Sequence, residues 1–203
     1  MQSELFGGWQ TIDCPDAELR YWPNWLSSNR HDQLVKALEH LNWDQSVITI
    51  AGRKVLTPRL NAWYGDQYAR YGYSGVDLPI NPWTDELEQL RDDIQSDTAC
   101  KFNSVLANLY RDGSDSVDWH ADDEDELGKF PTIASLSLGA PRKFLMRHRT
   151  RRDLAKIELI LEPGSLLVMS GPTQKYWLHK IPKTKESVSA RINLTFRLII
   201  QGN

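Results

Sequence analysis

The chain has 203 residues, 40% of them hydrophobic, enough for one domain of ordinary size with a real core. Its net charge of −3 does not mark it as a general polyanion binder, and its two cysteines, Cys14 and Cys100, sit in no Cys-x-x-Cys or Cys/His cluster, which argues against a zinc ribbon and fits a reducing compartment. The start lacks a basic-then-apolar leader and no apolar run is long enough to span a bilayer, so a cytoplasmic protein is expected, nucleoid-associated in a bacterium or nuclear in a eukaryote.

Residues 1–24 read as an irregular lead-in. A helix is predicted from about Ser27 to His40, with Ser27 and Ser28 as caps and Leu34, Leu38 and Leu41 at helical spacing. Ser46 to Thr57 reads as a hairpin. Arg59 to Gly75 carries Trp63, Tyr64, Tyr68, Tyr71 and Tyr73 with few aliphatics and reads as a structured loop or lid. A second helix follows Thr84, its cap, with Asp85 and Glu86 suiting the positive N-terminal end and Leu87, Leu90 and Ile94 facing inward. From Phe102 onward strands are predicted at 104–110, 132–138, 143–147, 157–161, 165–169, 176–180 and 191–200, punctuated by Gly/Pro turns. This order fits a mainly β fold with flanking helices: a double-stranded β-helix, or jelly roll. The expectation is one domain over 1–203, with 1–100 supplying helices, hairpin and lid and 101–203 the jelly-roll core.

The strand at Arg191–Leu198 has two different faces. Arg191, Asn193, Thr195 and Arg197 share one, and Ile192, Leu194, Phe196 and Leu198 the other. Two buried guanidinium groups are costly without anions, and a small dicarboxylate would answer both. Upstream, His120 and Asp122 lie two apart, so a strand end would direct both toward one site, with His179 on a later strand. Two imidazoles and a carboxylate leave three positions open on a metal, which suits Fe(II) that must bind a cosubstrate and oxygen together. His-x-Asp alone is a weak signal, and His31, His40 and His148 read as structural or solvated. Asn108 and Tyr110 share a face of the strand before His120, as donors to a bound oxo-acid or as a satisfied polar edge.

These stretches resemble the AlkB family of Fe(II)/2-oxoglutarate dioxygenases, above all its nucleic-acid-repair members. The likeness rests on 108–113, 119–124, His179, 191–197, and the 58–65 and 71–75 segments, and it runs from about Leu56 to Arg197. It implies that His120, Asp122 and His179 bind iron and carry catalysis. Arg191 would hold the distal carboxylate of 2-oxoglutarate, Arg197 would lie near its chelating carboxylate, and Asn108, Tyr110 and Asn193 would complete the pocket. Oxygen and 2-oxoglutarate would then yield succinate and CO2, while an N-methyl group of 1-methyladenine or 3-methylcytosine type leaves as formaldehyde. Such lesions are cationic and pair weakly, so they flip out easily. Glu124 would favour the positive base, with Asp123 as its alternative, and Tyr71 and Tyr73 would stack on it. Arg59 would touch base or phosphate, and Trp63 and Tyr64 belong to the same recognition region.

The basic stretch from Arg147 to Arg152 reads as a loop whose cations track phosphates. The hairpin tip at 51–54 offers no aromatic wedge, so single-stranded substrates fit at least as well as duplex ones. A monomer acting on alkylated DNA, or on RNA, is expected. Two other readings stay open on sequence: the same chemistry on RNA, a protein side chain or a small molecule, and a noncatalytic jelly-roll binding module.

Overall fold

The computed structural model describes residues 8–50, 52–69, 72–73, 76–77 and 79–200; for 48–50, 72–73 and 76–77 the description is of backbone alone. In chain order the elements are β1 (Gln10–Ile12), β2 (Glu18–Trp22), α1 (Ser28–Leu38), β3 (Val47–Ile50), β4 (Arg53–Leu56), β5 (Leu60–Gly65), β6 (Gly72–Tyr73), β7 (Val76–Asp77), β8 (Ile80–Asn81) and α2 (Asp85–Thr98). There follow β9 (Ser104–Tyr110), β10 (Val117–His120), β11 (Ile133–Gly139), β12 (Arg142–His148), β13 (Ile157–Leu161), β14 (Leu166–Ser170), α3 (Thr173–Tyr176), β15 (Trp177–Ile181) and β16 (Arg191–Arg197).

Both long helices begin where a side chain can satisfy an orphan amide. Ser27 Oγ accepts from the N–H of Arg30 at 3.4 Å, and Thr84 Oγ1 accepts from Leu87 at 3.3 Å. Asp85, Glu86 and Glu88 crowd the first turn of α2, where the helix dipole favours negative charge. Leu34 and Leu38 of α1, with Leu87, Leu90 and Ile94 of α2, are buried against one face of the large sheet.

That sheet has eight strands in the order β1-β2-β14-β11-β16-β9-β5-β8, and a second has four in the order β10-β15-β12-β13. Period-two alternation divides the core into two layers. Val105, Ala107, Ile192, Leu194 and Phe196 face the helices. Leu106, Tyr110, Leu167 and Met169 face Phe144, Met146, Trp177 and Ile181 of the four-stranded sheet. This is the expected jelly-roll sandwich with helices on one side. Gly139 makes the turn out of β11 at φ +79°, where a Cβ would lie 2.4 Å from the carbonyl oxygen of Ala190.

Three expectations change. Within 1–24, β1 and β2 extend the large sheet by pairing onto β14. The 59–75 segment begins not as a lid but as β5, paired with β9 over six residues. Aromatic residues at 63 and 64 look like surface recognition in a sequence, but this strand is covered on both faces, and Trp63 and Tyr64 are 1% and 3% exposed. The last strand ends at Arg197, leaving Leu198 outside it and exposed. The strand that ends at His120 is now delimited as β10. Among the described residues no helix is long and apolar enough to cross a membrane.

Candidate metal centre and dicarboxylate pocket

His120 is the last residue of β10 and stands directly opposite His179 of β15. Residues opposed in an antiparallel pair project from the same face, and here the two rings lie 4.3 Å apart, centre to centre. Asp122, just beyond the strand end, turns back so that ligand atoms of all three residues fall within 4.8 Å of one another. The His120 Nδ1–H donates to the carbonyl of Asp118 at 2.8 Å, which leaves Nε2 for a metal. Phe144 stacks on His179 at 5.4 Å.

The electrostatics suit metal binding. Burial, only partly offset by Asp122, holds the His120 pKa below the ordinary imidazole range. Burial and the neighbouring His120 push His179 down to about 3. Both rings are therefore neutral near pH 7, with lone pairs available. Burial opposes ionisation of Asp122, but Arg197, His179 and His120 outweigh it and hold the carboxyl at about 2. Arg197 Nη2 donates to Asp122 Oδ1 at 2.8 Å. Arg197 thus holds the candidate metal ligand and also lines the pocket where the sequence expectation set it, near a cosubstrate carboxylate.

The other half of the pocket comes from the large sheet. Arg59, Asn108, Tyr110, Arg191, Asn193, Thr195 and Arg197 line one cavity together with His120, Asp122 and His179. Arg191 is 1% exposed and lies over the Tyr110 ring at 5.3 Å. Its Nη2 donates to Ser137 Oγ at 2.9 Å, while Nε and Nη1 are buried without a hydrogen-bond partner among the described residues. Burial lowers its pKa to about 10, so it stays cationic at neutral pH. A buried cation with unused donors fits an anionic group that is not part of the chain.

Asn193 spends its amide on Ser135 Oγ and the carbonyl of Leu136, at 2.8 and 3.0 Å, and so braces β11. Arg59 does not lie on the surface. It is 4% exposed and donates from Nε to Asn108 Oδ1 at 2.9 Å, so it belongs to the pocket wall rather than to a phosphate track.

The substrate-side expectations divide. Glu124 lies two residues past Asp122, half-buried, where the 3-10 turn Asp125–Leu127 begins. Trp63 and Tyr64 lie in the two core layers, not in the pocket: Trp63 donates to the carbonyl of Ala69 at 3.2 Å, and the Tyr64 hydroxyl accepts from the N–H of Asn42 at 2.9 Å. Tyr71 lies outside the described residues, and Tyr73 is described only as backbone of β6.

One residue near the metal cluster escapes any sequence pattern. Gln174, 1% exposed in α3, accepts the backbone N–H of Asp122 through Oε1 at 3.0 Å. Its own carbonyl accepts from Arg149, which also pairs with Asp123. Nothing in the spacing of a lone glutamine announces a bond to a backbone 52 residues away.

Comparison with known proteins agrees with this geometry. A family model described as the 2OG-Fe(II) oxygenase superfamily matches residues 18–197. The Alpha-ketoglutarate-dependent dioxygenase alkB homolog 3 of Bos taurus is 45% identical over 150 residues, 70% of this chain and 52% of the bovine protein. Its Homo sapiens counterpart is 38% identical over 187 residues, 88% of this chain and 65% of the human one. The DNA oxidative demethylase ALKBH2 of Homo sapiens is 39% identical over 174 residues, 83% and 67% of the two chains. The chain thus spans about half to two thirds of the length of these relatives. The solved structure of OsALKBH1 superposes with a TM-score of 0.64 at 18% identity, covering 94% of this chain and 100% of that one, a likeness of fold.

Proposed function

The chain belongs to the 2OG-Fe(II) oxygenase superfamily, and from that premise we propose that it removes N-alkyl groups from DNA bases by iron- and 2-oxoglutarate-dependent oxidation, as a direct-reversal repair enzyme. The observation that carries the reading is a single buried pocket. It has two imidazoles and a carboxylate at one wall and an arginine with unused donors at the other. The curated relatives named as a DNA oxidative demethylase and an AlkB homologue support the choice of substrate.

His120, Asp122 and His179 would hold Fe(II), and Arg191 would hold the distal carboxylate of 2-oxoglutarate. When bound, iron and 2-oxoglutarate supply two-electron oxidation by oxygen, which turns an N-methyl into an N-hydroxymethyl group that departs as formaldehyde. The chain's own residues do the rest. Arg197 keeps Asp122 ionised and fixes its orientation. Asp118 fixes the His120 tautomer. Leu106, Phe144, Leu161 and Met169 supply apolar lining that limits water at the reacting centre. Arg59 orients Asn108. Glu124 favours a cationic base over its neutral, unmodified form, and Tyr71 and Tyr73 stack on the flipped ring. The protein would act as a monomer on single- or double-stranded DNA, wherever that DNA resides.

The test is to mix the protein with Fe(II), 2-oxoglutarate, oxygen and a 1-methyladenine oligonucleotide and to weigh the product. Loss of one methylene mass, dependent on 2-oxoglutarate, is expected. An intact Fe(II)–2-oxoglutarate charge-transfer band without mass loss would keep the oxygenase and send the substrate elsewhere, to other lesions, RNA or protein. No band at saturating ligands would overturn the oxygenase reading.

A further inference from the structure

The basic block between Arg142 and Lys156 contains seven cations, and the structure sorts them. Arg142 is buried, its guanidinium donating to the carbonyls of Asp112, Asp115 and Pro182. Lys143 pairs with Glu158, Arg149 with Asp123 and Arg151 with Asp153. Of the cations in β12, that leaves Arg147, which has neither an ion pair nor backbone carbonyls holding it among the described residues. Its guanidinium lies over the indole of Trp119, 4.4 Å from the ring centre. Lys180, far off in sequence and likewise unpaired among the described residues, lies over the same ring at 4.7 Å.

Strand alternation sets where these three side chains are. Met146 and His148 of β12 and His179 and Ile181 of β15 are buried. Arg147 and Lys180 therefore emerge on the outer face of the four-stranded sheet, and Trp119, next to His120, joins them there. The negative face of an indole can hold two ammonium-type charges that would otherwise repel each other. It does not neutralise them. Two positive charges held over one ring, neither in an ion pair among the described residues, are available to a diffuse anion. The loop after β12 extends this surface with Arg152 and Lys156, both exposed.

We infer that Trp119, Arg147 and Lys180 form a phosphodiester contact on the back of the four-stranded sheet, engaging the strand that carries the modified base. This rests on the nucleic-acid reading above and adds where the backbone runs: over the strand face and not, as the sequence suggests, along the whole Arg147–Arg152 stretch.

The test is the salt dependence of binding to a fluorescent single-stranded 1-methyladenine oligonucleotide, with 2-oxoglutarate left out so that nothing turns over. Each phosphate contact on a single strand contributes about 0.7 to the slope of log affinity against log salt. The R147Q/K180Q variant should therefore bind more weakly, with a slope shallower by about 1.4. K143Q/R151Q removes the same charge from paired side chains and should retain the wild-type slope. Trp119→Leu keeps both cations but frees them, and roughly two- to fivefold weaker binding is expected. Equal slope losses in both double variants would reduce the effect to net charge and overturn the site, as would no loss in R147Q/K180Q. A wild-type protein that binds no oligonucleotide would overturn the substrate reading itself, and this contact with it.

Discussion

Asp122 is a carboxylate 1% exposed, kept ionised above all by the arginine it faces. Asp122→Ala should abolish iron-dependent turnover. It should also lower stability by about 3 kcal/mol, because Arg197 stays buried after losing the carboxylate it faces. Chemical denaturation of the metal-free variant measures that second effect, and unchanged stability would mean that Arg197 is satisfied by its other neighbours. Arg191 gives a complementary prediction. Ligand that binds only the folded state raises stability by about 2.7 kcal/mol at a hundredfold excess over Kd, so 2-oxoglutarate should raise the melting temperature of the wild type and leave Arg191→Gln unmoved. A comparable shift in the variant would remove Arg191 from cosubstrate binding.

At the scale of elements, the short helix α3 acts on the metal site through one side chain. Gln174→Ala removes the acceptor for the Asp122 amide, and orienting partners of this kind are worth about 10–100-fold in metal affinity. Titration of the Fe(II)–2-oxoglutarate band should show weaker iron binding at an unchanged global fold. Wild-type iron affinity would make the bond merely structural. Elements also mark what could be read in advance. His120, Asp122, His179 and the two-faced β16 were legible because strand period and a two-residue spacing leave marks in a sequence. The Asp118 carbonyl and Gln174 were not, since a bond to backbone imposes no side-chain pattern. β5 was misjudged for a related reason. Between a helical layer and a second sheet a strand loses its polar alternation, and Trp63 and Tyr64 then resemble a recognition loop.

Over the whole molecule, pairing distant strands demands that the turns hold. Gly113 and Asp115 lie in the segment between β9 and β10, where Arg111 grips the 2%-exposed Asp115 through both carboxylate oxygens, at 2.8 and 2.9 Å. Burial acts to raise the Asp115 pKa, but Arg111 outweighs it, and the group is lowered in the folded state. A lowered carboxylate binds fewer protons folded than unfolded. Its contribution is therefore complete above the unfolded value of about 3.9 and is lost as pH falls below it toward the folded value. Asp115→Asn should flatten the acid limb of stability below pH about 4 while costing stability at neutral pH. An acid limb as steep as the wild type's would assign the loss to other carboxylates. The layered jelly roll was foreseeable from helices followed by short strands, but its edge was not: β1 and β2 are short, half-exposed and, among the described residues, joined to the sheet through β14.

The candidate iron ligands ride on the four-stranded sheet and its trailing loop, while Arg191 rides on the eight-stranded one. The two sheets are the jaws of a caliper whose gap is set by the side chains packed between them away from the pocket, such as Leu167, Met146 and Trp177. The length of dicarboxylate that fits is therefore a property of the core and not of the site alone. Thinning or thickening that layer should move the preference among four-, five- and six-carbon oxo-acids without altering a single residue that touches them.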